Sequence, residues 1–98
     1  MIIWTPRARA DLKAIYDHIA KDAPLNAKTV TQAIVQKTQT ALQIPLMGKK
    51  VAEVVDENLR EISLYSWRIL YHIQHDKIYV VTLVHKRRNL QPQEIPTH

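Results

Sequence analysis

The chain has 98 residues, with one glycine and no cysteine, and its 14 lysines and arginines exceed its nine acidic residues to give a formal charge of +5. This length suits a single domain, and a hydrophobic content of 46% argues against general disorder. The absence of cysteine excludes disulfides and thiolate metal sites, and no apolar run is long enough to cross a membrane. We therefore expect a cytoplasmic protein with no membrane segment, whose basic charge suits a nucleic acid or an acidic protein as partner.

The first 45 residues predict a short strand followed by a helical hairpin. Residues 2–4 are apolar and β-prone, and the strand should end at Thr5, which can cap a helix whose first position suits Pro6. Apolar residues then recur at helical spacing as far as Pro24, and a second helical pattern runs from there to Pro45. The two predicted apolar faces are Ala8, Leu12, Ile15 and Ile19, and then Ala27, Val30, Ile34, Thr38 and Ala41.

The second half of the chain changes to the periodicity of strands. Residues 51–55 predict a short strand or extended arm, and residues 59–65 predict a longer strand. The alternation over residues 67–73 and the turn residues 74–77 predict a hairpin that leads into residues 78–85, the most apolar strand. Simple alternation would place Ile78, Val80 and Val84 on one face of this strand, and Tyr79, Val81 and Leu83 on the other.

Together these elements predict an α+β fold of order β-α-α-β-β-β. The helical hairpin would pack on one face of an antiparallel sheet of about four strands, in a single domain of residues 1–90, and residues 91–98 would form a flexible C-terminal tail. The other face of the sheet would stay exposed as an apolar surface rimmed by positive charge, which indicates a binding partner. Its residues would be Leu70, Val81 and Leu83, beside Arg60 and Arg68.

Two groups of basic residues have more than one interpretation. Arg60 and Arg68 lie inside predicted strands, where a charge requires an anionic or polar neighbour. That neighbour could belong to a partner, or it could be an acidic residue of the chain itself, such as Glu61 or Asp76. The run Lys86-Arg87-Arg88 directly follows the last predicted strand and suits either a phosphate- or carboxylate-binding edge or a solvated charge run.

The sequence lacks the common patterns of metal and nucleophilic catalysis. Its five histidines share no spacing that would hold a metal, and we find no Ser/His/Asp arrangement and no glycine-rich phosphate loop. We therefore expect neither a metal nor another cofactor.

Several short motifs, in this order, resemble the toxins of the RelE/ParE superfamily of bacterial type II toxin–antitoxin modules. The resemblance covers roughly residues 2 to 90. It rests on the segment WTPRARADLKAIY at 4–16, Pro45-x-x-Gly48, NLREI at 58–62, WRILY at 67–71 and VHKRR at 84–88.

One branch of this superfamily consists of ribosome-dependent ribonucleases, and the resemblance to it is incomplete. Those enzymes use strand lysines, a strand arginine and a second arginine after the last strand, usually followed by a C-terminal tyrosine or histidine. Arg68 matches the strand arginine, Arg87 (or its neighbour Arg88) matches the second, and His85 or His72 could act as general acid or base. The lysine positions, however, are occupied by Leu59 and Glu61, and an acidic residue there would repel a phosphate.

The remaining resemblance is to the ParE branch, whose members inhibit DNA gyrase by binding it and have no catalytic centre. It implies Lys86, Arg87 and Arg88 as contacts to the target, and an antitoxin with an acidic or amphipathic C-terminal segment as the neutralising partner. The expected antitoxin-binding residues are Arg60, Arg68, Leu70, Val81 and Leu83. The alternatives are a ribonuclease that acts on ribosome-bound mRNA, and a non-toxic family member that only binds the antitoxin.

Overall fold

In the computed structural model, which describes residues 1–96, two helices lie against one face of a five-stranded sheet. The strands are β1 (Ile2–Trp4), β2 (Lys49–Lys50), β3 (Leu59–Leu64), β4 (Trp67–Gln74) and β5 (Lys77–His85). The helices are α1 (Pro6–Ala20) and α2 (Pro24–Ala41), and short 3-10 turns cover Pro45–Met47 and Pro92–Glu94. The predicted α+β fold with a helical hairpin on one face of the sheet is confirmed.

The start of α1 follows the local prediction closely. The hydroxyl of Thr5 accepts a hydrogen bond from the N–H of Ala8 at 3.2 Å, and Pro6 occupies the first turn, where its missing N–H leaves no hydrogen bond unmade. The same hydroxyl donates to the carbonyl of Val80 at 2.9 Å. Thr5 therefore caps the helix and also fixes it to strand β5.

The sheet differs from the prediction in strand number and direction. Its order is β1-β5-β4-β3-β2, and β1 runs parallel to β5 while the other neighbours are antiparallel. A parallel pair requires a long crossover connection, and the helical hairpin near the start of the chain is part of the route from β1 to β5. The short strand predicted within residues 51–55 lies earlier, at Lys49–Lys50, and is followed by a loop.

A β-bulge changes which side chains of β5 face the helices. Leu70 pairs with Thr82 but Tyr71 pairs with Val80, so Val81 is an extra residue and the simple alternation breaks there. The predicted faces of β5 were therefore wrong beyond the bulge: Leu83 joins Ile78 and Val80 on the helix side, and Val84 joins Tyr79 and Val81 on the opposite side.

The second face of the sheet is covered, which corrects the prediction of an exposed apolar surface. Leu70 and Val81 are fully buried, and Leu83 is also buried but belongs to the core beneath the helices. The cover includes Leu90 and Ile95, two residues that follow β5. Their burial is favourable because it removes apolar area of both the sheet and this segment from water. Of the predicted flexible tail, residues 91–98, Ile95 is buried in this cover, and residues 97–98 lie outside the described residues.

Candidate functional site: a charged cleft on the second face of the sheet

Outside its covered apolar residues, the second face of the sheet carries an open cleft of about 610 Å³. Four cationic side chains and two carboxylates line it, together with small residues. They are Lys49, Lys50, Arg68 and Lys86, with Glu53 and Glu61, and Ala52 and Ser63 between them. Of the residues chosen from the sequence, Arg68 and Lys86 lie here. Lys49, Lys50 and Glu53 had no distinguishing pattern beyond their charge.

Arg68 lies between two carboxylates and binds both. Its Nε and Nη2 donate to Glu61 at 2.7 and 2.8 Å, and its Nη1 and Nη2 donate to Glu53 at 2.7 and 2.8 Å. Only 12% of the Arg68 side chain and 3% of the Glu61 side chain are exposed. These bonds raise the pKa of Arg68 above its usual range, with Glu61 contributing most. Of the two interpretations of Arg68, the structure therefore shows the ion pair within the chain, with Glu53 as an additional partner.

The stability of this ion-pair cluster is expected to depend on pH through Glu53. Hydrogen bonds from Arg68 hold the pKa of Glu53 below its usual range, although desolvation opposes them. A carboxyl group with a lowered pKa binds fewer protons in the folded state than in the unfolded state. Its contribution to the free energy of unfolding is therefore present above the ordinary pKa of about 4.3 and is lost as the pH falls through the pKa of the folded state. In urea titrations, we expect the difference in unfolding free energy between the wild type and Glu53→Gln to shrink from about pH 5 to about pH 3. A difference that stays constant over this range would contradict the assignment.

Arg60 does not lie beside Arg68, which corrects the prediction from the sequence. It pairs in register with Tyr71, which faces the helices, whereas Arg68 binds Glu61 on the opposite face. Its Nε donates to the carbonyl of Glu57 at 3.1 Å, and its Nη1 donates to the carbonyls of Leu46 and Gly48 at 3.3 and 3.0 Å. The predicted cluster of Arg60, Arg68, Leu70, Val81 and Leu83 is therefore not formed as one exposed surface.

The three adjacent cations after β5 have different surroundings. Lys86 lines the cleft, and Arg88 forms an ion pair with Glu94. The side chain of Arg87 is exposed and makes no hydrogen bond or ion pair within residues 1–96. Arg87 is therefore a cation that remains available to a partner.

His85 lies apart from the charged cleft. Its Nδ1 accepts a hydrogen bond from the N–H of Arg87 at 3.1 Å, and its ring makes an edge-to-face contact with Trp67 at 5.2 Å. A neutral His85 in this arrangement carries its proton on Nε2. It lines a separate depression of about 260 Å³ with Asp11 and Arg88, whereas Arg68 lines the cleft. The residues considered for a ribonuclease, Arg68, Arg87 and His85, thus do not line a common site.

The remaining histidine considered, His72, lies near a turn on the second face. Its Nε2 is 3.3 Å from a carboxylate oxygen of Asp56. Across the described part of the chain, no group of three or more histidine or acidic residues is arranged to hold a metal ion. Within the same residues, no helix combines the length and apolarity needed to span a bilayer.

Three comparisons show which known proteins this chain is similar to. The sequence pattern of the family described as "ParE toxin of type II toxin-antitoxin system, parDE" matches residues 2–90. A relative from Caulobacter vibrioides, named Toxin RelE2, is 27% identical over 88 residues, which is 89% of this chain and 96% of that protein. A solved structure described as the chromosomal ParDE TA system from P. aeruginosa matches with a TM-score of 0.73 at 24% identity, and covers 86% of this chain and 92% of its own. That structural match supports the fold derived above.

Proposed function

This chain belongs to the ParE toxin family of type II toxin–antitoxin systems, and from that premise we propose that it acts in the cytoplasm by binding DNA gyrase, without cutting RNA. A cognate antitoxin would neutralise it. Lys86, Arg87 and Arg88 are the proposed contacts to the target. Arg88 pairs with Glu94, whereas Lys86 and Arg87 are exposed and have no ion-pair partner within the described residues.

The observation that carries this proposal is the double ion pair of Arg68. A ribonuclease site needs cationic groups that stabilise the negative charge developing on the scissile phosphate. Here the guanidinium of Arg68 already binds Glu53 and Glu61, and a phosphate placed beside it would meet two carboxylates. An arginine that is already bound to two carboxylates favours a binding protein over a nuclease.

A second candidate, the ribosome-dependent ribonuclease, has one structural feature in its favour. Lys49, Lys50 and Lys86 surround the cleft, and an RNA backbone would be attracted to that rim. The third possibility, a non-toxic antitoxin-binding module, predicts normal growth when the chain is expressed alone.

The test is to add the purified chain to DNA gyrase and, separately, to translating ribosomes. We expect inhibition of supercoiling and stabilised gyrase–DNA cleavage complexes, with ribosome-bound mRNA left intact. Arg87→Ala should abolish the inhibition and leave the unfolding free energy within about 0.5 kcal/mol of wild type, because the side chain is exposed and unpaired.

Lys77→Ala is the matched control, because it removes another exposed cation that has no ion pair in residues 1–96, at the opposite end of β5. It should inhibit gyrase like the wild type. Discrete cuts in mRNA with unchanged supercoiling would instead assign the ribonuclease activity. Growth arrest without induction of the SOS response would agree with that outcome.

A further inference from the structure

An apolar loop between α2 and β2 exposes three large side chains. Ile44, Leu46 and Met47 are 61%, 66% and 61% exposed, although they lie within four consecutive residues. Adjacent exposed apolar side chains of this size are a typical feature of protein-binding surfaces. We call these three residues the apolar loop.

The backbone of this loop is held in place from below. The hydroxyl of Tyr71 donates to the carbonyl of Pro45 and accepts from the N–H of Gly48, the latter at 3.1 Å. Arg60 donates to the carbonyls of Leu46 and Gly48. Four main-chain groups within residues 45–48 are thus fixed by two side chains of the sheet.

Gly48 is part of this arrangement because of space. A Cβ atom at this position would lie 2.1 Å from the Tyr71 hydroxyl oxygen and 2.9 Å from the carbonyl oxygen of Glu61. The loop therefore packs closely on the sheet and still points its apolar side chains outward. Because its backbone is already ordered, a partner that binds it does not bear the entropic cost of ordering the loop.

The charges around the loop indicate the chemistry of that partner. Arg60 binds only main-chain carbonyls and has no carboxylate partner within residues 1–96, and Lys49, two residues after Met47, forms no ion pair there either. The carboxylates nearest these two cations, Glu53 and Glu57, are already paired with Arg68 and Lys50. The surface is thus apolar at its centre and net positive at its border. It is complementary to a segment that carries both apolar and acidic side chains.

We propose that the apolar loop, Ile44, Leu46 and Met47, is a docking surface for an acidic, amphipathic segment of the cognate antitoxin. This inference rests on the antitoxin partnership of the proposed function and replaces the buried residues Leu70, Val81 and Leu83 as the apolar part of the antitoxin site. It assigns no role to the loop in toxicity itself.

The experiment uses the antitoxin purified from the co-expressed two-gene module and measures its affinity for separately refolded toxin variants. The triple variant Ile44→Ser, Leu46→Ser, Met47→Ser should bind at least about tenfold more weakly, because it loses the centre of the interface. Leu25→Ser is the matched control, since Leu25 is even more exposed at 84% but lies at the start of α2. It should bind like the wild type. Lys49→Ala should slow association, whereas Lys77→Ala should not.

Each outcome distinguishes this inference from the proposed function. If the triple variant still arrests growth but is no longer rescued by the antitoxin, the inference holds. Wild-type affinity of the triple variant would overturn it. Loss of gyrase inhibition with unchanged antitoxin affinity would overturn it in favour of the target, and conversion of a wild-type dimer into a monomer would overturn it in favour of a second copy of the chain. If the wild-type chain itself does not bind the antitoxin, the antitoxin partnership of the proposed function fails, and the inference fails with it.

Discussion

Arg68→Ala is expected to lower the free energy of unfolding by about 3–5 kcal/mol. The substitution removes the cation that binds both Glu61 and Glu53 and leaves the Glu61 carboxylate, which is 3% exposed, without an ionic partner. Breaking a buried ion pair from one side is costly because the remaining charge has lost its hydration and gains no partner. Urea denaturation at neutral pH, followed by circular dichroism, measures the change.

Two controls separate this effect from a general cost of losing a charge. Lys50→Ala breaks the exposed pair with Glu57, which has the same sequence separation of seven residues as Arg68 and Glu61, and should cost at most about 1 kcal/mol. The double variant Arg68→Met, Glu61→Leu removes both buried charges together and should recover most of the lost stability. A loss below about 1 kcal/mol for Arg68→Ala would show that the cluster contributes little to stability.

Ile34→Ala is expected to destabilise the protein by about 2–5 kcal/mol. Ile34 is fully buried in α2 and belongs to the core between the helices and the sheet, with Ile15, Ile69 and Tyr71. Removing its side-chain atoms forfeits their burial and leaves a cavity that neighbours on the sheet can fill only in part. The change is measured by the same urea denaturation.

A graded series tests whether burial is the cause. Ile34→Val should cost about 0.5–1.5 kcal/mol, because it removes one methyl group from the same place. Leu25→Ala, at an exposed position of the same helix, should stay within about 0.5 kcal/mol of the wild type. Equal losses for Ile34→Ala and Leu25→Ala would show that the effect arises from the helix itself and not from the core.

The charged cleft could be predicted from the sequence only in part. Placing Arg68 inside a strand predicts that it needs an anionic neighbour, and Glu61 is one of the two residues that were considered. Glu53 could not be found in this way because it lies 15 residues from Arg68, in a loop with no regular pattern. Arg60 was predicted to lie on the same face as Arg68, and this was wrong. The register of β3 against β4 pairs Arg60 with Tyr71, and this register is not evident from the sequence.

Features that depend on neighbours within a few residues could be predicted from the amino-acid sequence alone. These are the Thr5 cap, the helical hairpin, the turn after β4 and the alternation along β4, and the ordered motifs also indicated the family. Local sterics, capping hydrogen bonds and periodicity act over such short distances, so a single sequence carries them.

Features that join distant residues became visible only in the folded chain. The parallel pairing of β1 with β5, the bulge at Val81 and the cover that Leu90 and Ile95 place over the second face all depend on contacts between separate elements. The hydrogen bond from Thr5 to Val80, for example, spans 75 residues. Such contacts form because the whole chain removes apolar area from water and pairs its buried polar groups, and no local pattern records which distant residue will be the partner.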